Sequence, residues 1–156
     1  MKWSPTRVIT GRRLSLFVKE RSLWTFNQLV FPTIEALQDR SDVALVIALG
    51  RPRISLPSDV YTPSNCHVED FIPYDSILPH VNVFITTGDH GSFQQALKSG
   101  TPLIMAGTTE EKPESAAKAE WAGVAVNLRT TYPSTAQLSQ AVDEAPGNQS
   151  FKRRAV

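Results

Sequence analysis

Residues 81–106, VNVFITTGDHGSFQQALKSGTPLIMA, decide the fold. They begin with an apolar run of strand length, Val81 to Thr86, and pass through a turn holding Gly88 and Gly91. Gly91 to Ser99 then reads as a helix closed by Gly100, and a second apolar run, Pro102 to Ala106, follows. Short apolar runs separated by longer mixed segments are how strands look when crossover helices bury both of their faces. Such strand-helix-strand units connect by right-handed crossovers, so the expected class is α/β with a Rossmann-like, doubly wound parallel sheet.

The same alternation extends to both sides. Further strands are expected at Arg7 to Thr10, Val43 to Leu49, His67 to Asp70 and Gly123 to Asn127. A helical segment from Phe26 to Arg40 sets Leu29, Val30, Ile34 and Leu37 on one side, and Pro32 must kink it or begin its second part. Pro113 to Trp121 reads as a helix with proline in its first turn, and Thr135 to Asp143 as another, with Leu138 and Val142 apolar. Gly11 to Ser22 is basic and reads as irregular where a first strand-to-helix turn is expected. The division this gives is an irregular segment 1–25, a domain 26–145 and a basic tail 146–156, with both ends reading as incomplete.

Composition narrows the partners. A chain of 156 residues, 41% hydrophobic and 20% charged, suits one globular domain with one core. The net charge of +1 is dispersed apart from Arg12-Arg13 and Lys152-Arg153-Arg154, so no basic stripe matches a phosphate backbone and no nucleic acid is expected. The single Cys66 forms no internal disulfide, and His67 beside it lacks a second Cys/His pair at zinc-ligand spacing. No run approaches the roughly 20 apolar residues of a membrane span, and the first ten residues lack the apolar block of a secretory signal. A cytoplasmic location is the default expectation.

In open parallel sheets ligands sit beyond the carboxyl ends of the strands. Two loops there carry candidate chemistry. Thr86-Thr87-Gly88-Asp89-His90-Gly91-Ser92 can bring backbone N–H groups at a helix start close to a phosphate, although glycine in a βα turn serves backbone geometry equally well. Ala106-Gly107-Thr108-Thr109-Glu110-Glu111-Lys112-Pro113 offers carboxylate and ammonium groups that can bond sugar hydroxyls. Its acidic pair would equally favour the positive end of the next helix.

Taken together, the stretch from Phe71-Ile72-Pro73-Tyr74-Asp75 through FITTGDHGSFQQALKSGTPLIMAGTTEEKPESAAKAEWAGVAVNL resembles the donor-binding signature of UDP-glycosyltransferases in its microbial variant. An aromatic-x-Pro-[Tyr/Gln] segment, a Thr-Asn-Gly-Gly-[Tyr/Phe]-Gly-like loop, an ALxxGxPL strand entry and an acidic-[Lys/Gln]-Pro turn occur in the same order. The resemblance is specific over Val68 to Leu128 and looser from Leu29 to Asp143. It implies the C-terminal half of a GT-B fold, two Rossmann-like halves facing across a cleft. By that resemblance Phe71 and Ile72 flank the nucleotide base, by ring stacking and main-chain hydrogen bonds. Thr87, Gly88, Gly91 and Ser92 approach the diphosphate, Gln95 lies near the ribose, and Glu111 with Lys112 holds the sugar hydroxyls. The donor is a UDP-sugar, and neither metal nor other cofactor is implied.

The departures are specific as well. Thr87 stands where relatives carry His or Asn, Gln95 where many carry Glu, and Asp89 where they carry glycine. A carboxylate about 4 Å from a phosphate charge costs on the order of 4 kcal/mol at an effective dielectric of about 20, and Asp89 is also a competent N-cap for the following helix. In this family the general base lies in the N-terminal, acceptor-binding half, and nothing before Leu29 matches that half. His67, His80 and His90 have no partner identifiable in the sequence, so no catalytic residue is assigned. The expected function is the UDP-sugar-binding half of a glycosyltransferase that transfers a hexose to a small lipophilic acceptor, completed by a separate acceptor-binding half. The alternative is a non-catalytic, degenerate module acting by protein contact.

Overall fold

The computed structural model describes residues 14–19, 26–49, 53, 61–87, 90–107 and 112–145; of 14–19, 26, 27, 90, 112, 113 and 115 it describes the backbone alone. Among the described residues six strands, β1 (Leu14–Lys19), β2 (Val43–Ala48), β3 (Cys66–Glu69), β4 (Val83–Thr86), β5 (Leu103–Met105) and β6 (Ala125–Asn127), form one sheet in the order β3-β2-β1-β4-β5-β6. Every pairing is parallel. The order reverses beside β1, which pairs Leu14 to Lys19 with Val43 to Ala48 on one side and Leu16 to Val18 with Val83 to Ile85 on the other. This is the doubly wound topology whose switch point opens a ligand crevice.

Side-chain alternation along the strands builds two cores, one on each face. Val43, Leu45, Ile47, Leu49, Val83, Ile85, Ile104 and Ala106 enter the first. Val46, Ala48, Phe84, Leu103, Met105 and Ala125 enter the second. All six residues of β2 are buried, which is why its sequence is an unbroken apolar run. Each fully buried Leu, Ile or Val is worth about 1.5–3 kcal/mol, so these two layers dominate the fold's stability.

The first face is covered by helices α1 (Phe31–Leu37) and α5 (Thr135–Glu144), through Ile34, Leu37, Leu138, Ala141 and Val142. A π-helical turn, Phe26–Val30, leads into α1, and Pro32 sits at the junction, in the first turn of α1. The Asn65 side-chain amide donates to the carbonyls of Leu37 (2.8 Å) and Arg40 (2.9 Å), satisfying acceptors at the end of α1. Arg40 ties the two helices by pairing with Asp42 (3.0 Å) and Asp143 (2.8 Å). Its pKa is raised, first by the hydrogen bond to Asp42, with burial opposing.

The second face carries α2 (Tyr74–Ile77) with a 3-10 turn (Leu78–His80), α3 (His90–Ser99) and α4 (Lys112–Trp121). Helices α3 and α4 end alike. Gly100 (φ 69°) and Gly123 (φ 77°) take the left-handed conformation. The N–H groups of Thr101 and Val124 then reach back to Ala96 and Ala119 at 3.0 Å, the bonding of a Schellman motif.

The expected strands and helices from residue 43 onward are all present with shifted ends, and the short α2 and its 3-10 turn add to them. The amino-terminal reading needs correction. Gly11 to Ser22, expected to be irregular, contains β1, a strand between two others in the sheet. Leu14 to Lys19 mixes apolar and polar residues between charged neighbours, and only pairing with β2 and β4 makes it a strand. Arg7 to Thr10 and the tail 146–156 lie outside the described residues.

Candidate functional site

The carboxyl ends of β3 and β4 bring two separate chain segments together. Edge strand β3 is pinned where it ends, the Leu49 N–H donating to the Glu69 carbonyl at 3.0 Å and the Arg53 N–H to Asp70 Oδ2 at 2.8 Å. The next residues alternate sharply. Phe71 is 46% exposed, whereas Ile72 is 1% exposed and enters the second core. Phe71 can therefore offer its ring to a planar ligand, and Ile72 only its main chain. Pro73, with φ −62° and ψ 140°, then turns the chain into α2, whose first residue is Tyr74.

Tyr74 joins this loop to the second segment. Its ring meets that of buried Phe84 in β4 edge-on, centroids 5.7 Å apart at 60°. Its hydroxyl lies 3.0 Å from Ser92 Oγ, in the first turn of α3. Strand β4 ends in Thr86, 2% exposed, whose carbonyl accepts from the Ala106 N–H at 3.0 Å, and Thr87 follows half-buried. At the start of α3, Gly91 is exposed, and a Cβ built there would meet no atom within 4 Å. Ser92 is only 4% exposed, and Gln95, one turn on, is half-buried. A ten-residue helix presents partial positive charge at this end, and its first turn has N–H groups without helical partners.

Of the nine residues expected at the site, Phe71, Ile72, Thr87, Gly91, Ser92 and Gln95 are therefore distributed over two abutting segments. Gly88 and Glu111 lie outside the described residues, as does Asp89, and Lys112 is described only as the backbone that starts α4. The sequence reading left Tyr74 without a role, although the [Tyr/Gln] choice at its motif position was a signal: both side chains carry a polar end far from the backbone.

The histidines stand apart from this arrangement. His67, read as unpartnered, has a partner: its Nε2 lies 2.6 Å from Glu69 Oε1, two residues along β3. His80 is exposed at the end of the 3-10 turn, and the His90 side chain lies outside the described residues. Burial pushes the Cys66 thiol up from 9.0 to about 12, which keeps it protonated and unreactive near neutral pH. Among the described residues, no group of three His, Cys, Asp or Glu side chains could hold a metal ion, and no helix is long and apolar enough to cross a membrane.

Comparison with known proteins identifies the family and the fold. The family model described as UDP-glucoronosyl and UDP-glucosyl transferase matches residues 57–156. UDP-glucosyltransferase 1 of Beauveria bassiana is 39% identical over 148 residues, 94% of this chain and 32% of that protein. UDP-glucosyltransferase A1 of Starmerella bombicola is 38% identical over 144 residues, 92% of this chain and 31% of that protein. The chain thus spans about a third of the length of these relatives. The crystal structure of the kitacinnamycin glycosyltransferase superposes with a TM-score of 0.80 at 26% identity, covering 94% of this chain and 38% of that one. Sequence and fold converge: the chain belongs to the UDP-glucoronosyl and UDP-glucosyl transferase family, and its doubly wound sheet is the Rossmann-like C-terminal half of the GT-B architecture.

Proposed function

We propose that this chain is the UDP-sugar-binding half of a glycosyltransferase that transfers a hexose to a small lipophilic acceptor. The observation that carries the reading is the juxtaposition of the exposed Phe71 ring with the open, glycine-bearing start of α3, bridged by Tyr74 and Ser92 at 3.0 Å. In this reading the base stacks on Phe71 and meets the main chain of Ile72. The diphosphate approaches Thr87, Gly88, Gly91 and Ser92, the ribose lies near Gln95, and the sugar hydroxyls meet Glu111 and Lys112. Backbone N–H groups and the helix dipole stabilise the diphosphate charge, so the reading calls for no metal or other cofactor.

Transfer forms a bond from the acceptor oxygen to the anomeric carbon and breaks the bond from that carbon to the β-phosphate oxygen. UDP leaves with the electron pair, and the acceptor proton passes to a base. That base is proposed to come from an acceptor-binding half, on a partner chain or a further segment, working in the cytoplasm. Calorimetry with UDP tests the donor site: the chain should bind it, and Phe71→Ala should weaken binding about tenfold through loss of stacking. Absence of UDP binding by the unsubstituted chain would remove the reading.

One feature of the sequence favours a second reading, a degenerate module acting by protein contact. In the motif Asp89 stands where relatives carry glycine, so this reading sets a carboxylate against the diphosphate. If this reading holds, Asp89→Gly restores UDP binding to a chain that lacks it, and the gain shrinks as salt is raised.

A further inference from the structure

We propose that Tyr74 is a positioning residue of the donor site: its phenol holds the Ser92 hydroxyl, so that the loop carrying Phe71 and the first turn of α3 move as one. The inference rests on the donor-site reading and adds a residue to it. Tyr74 and Ser92 are 18 residues apart in sequence, on loops that follow different strands. The ring of Tyr74 is already held by Phe84, a contact that phenylalanine would make equally well. What the hydroxyl adds, and phenylalanine would lack, is the bond to Ser92 Oγ.

Two hydroxyl oxygens 3.0 Å apart are joined by one proton. Either hydroxyl can donate that proton. In both cases the bond restricts rotation about the Ser92 Cα–Cβ bond and so holds Oγ in place. Ser92 lies beside Gly91, where the backbone is exposed and the space above it open. Tyr74 thus sets the phosphate end of the site through Ser92, while Ile72, buried two residues earlier, anchors the base end in the core. A group that holds both ends can fix the distance between them, which a ligand with both a base and a diphosphate reads and a bare nucleoside does not.

The test compares UDP with uridine, which lacks the diphosphate, by calorimetry on the full chain. Tyr74→Phe should lower UDP affinity about fivefold to tenfold and leave uridine affinity within about twofold. Ser92→Ala should lower UDP affinity at least as much, the double variant should be no worse than Ser92→Ala alone, and Ser92→Thr should lose less than Ser92→Ala because it keeps the hydroxyl. Equal loss of both ligands, no loss of UDP affinity, or additive losses in the double variant would overturn the proposal. Amide hydrogen exchange without ligand gives an independent readout. Tyr74→Phe should speed exchange at residues 91–93 and at residues 71–72 together, and unchanged exchange at both places would refute the coupling. A chain that binds neither ligand would remove the donor-site reading, and the exchange result would then decide the coupling alone.

Discussion

Helices α3 and α5 each run for ten residues and each follows a strand of the same sheet, yet their first turns are completed differently. At α5 the Ser134 hydroxyl accepts from the Gln137 N–H at 3.1 Å, and the Gln137 side chain accepts from the Ser134 N–H at 2.9 Å. This capping box satisfies both donors from within four consecutive residues. At α3 an exposed glycine stands next to a serine whose hydroxyl is engaged by Tyr74, from a loop beyond a different strand. The cap at α5 is made by neighbours along the chain and serves stability. The Ser92–Tyr74 bond at α3 is made across the fold, where a ligand can use it.

The largest way to break the contrast is through the core beneath α3. Phe84→Ala should destabilise the chain by about 3–5 kcal/mol, since Phe84 is fully buried and supports the Tyr74 ring. Urea denaturation should show the midpoint fall, and a loss below about 1 kcal/mol would mean that the second core is loosely packed.

Gly91→Ala separates stability from binding. The added Cβ meets no protein atom, and alanine is the better helix former, so the melting temperature should hold or rise. UDP affinity should fall about tenfold, or about 1.4 kcal/mol, because in the proposed donor site the methyl stands where the diphosphate would approach. Unchanged affinity would show that the ligand does not use this helix start.

Ser134→Ala should do the reverse at α5. Loss of the cap should lower stability by about 1 kcal/mol, with UDP affinity unaltered. If affinity fell with stability, the two helix starts would be coupled and the contrast between them would fail.

A separate effect concerns alkaline pH. The Cys66 thiol, raised by burial from 9.0 to about 12, keeps its proton in the folded chain over a range in which the unfolded chain loses it. Its contribution to stability is therefore fully present below pH 9.0 and is lost as pH rises from there toward about 12. Cys66→Ala should flatten this alkaline decline, measured by denaturation midpoints across the range. Near neutral pH the same thiol should react slowly with an alkylating reagent until the chain unfolds.

The strands most legible in the sequence are those the sheet buries most completely. Val43 to Ala48 is apolar throughout because both faces of β2 are covered, and Val83 to Thr86 follows the same rule. Gly100 announces the end of α3 because a Schellman turn requires a positive φ. Strand β1 was illegible for a complementary reason: LSLFVK lies between Arg12-Arg13 and Lys19-Glu20-Arg21, and its local pattern matches a charged surface segment. The pairing of His67 with Glu69 was within reach of the sequence, since the expected strand His67 to Asp70 already puts i and i+2 on one face.

The sequence by itself determined the alternation of strands and helices, the turn glycines and the order of motifs that identify the family. These are properties of neighbours along the chain, where periodicity and backbone preference act. Only the tertiary structure decided that β1 lies between β2 and β4, that Phe71 faces outward while Ile72 enters the core, and that Tyr74 reaches Ser92. Each of these depends on where a crossover lays one segment over another, and a contact across 18 residues is fixed by how α2 and α3 pack on the second face of the sheet, which no local pattern records.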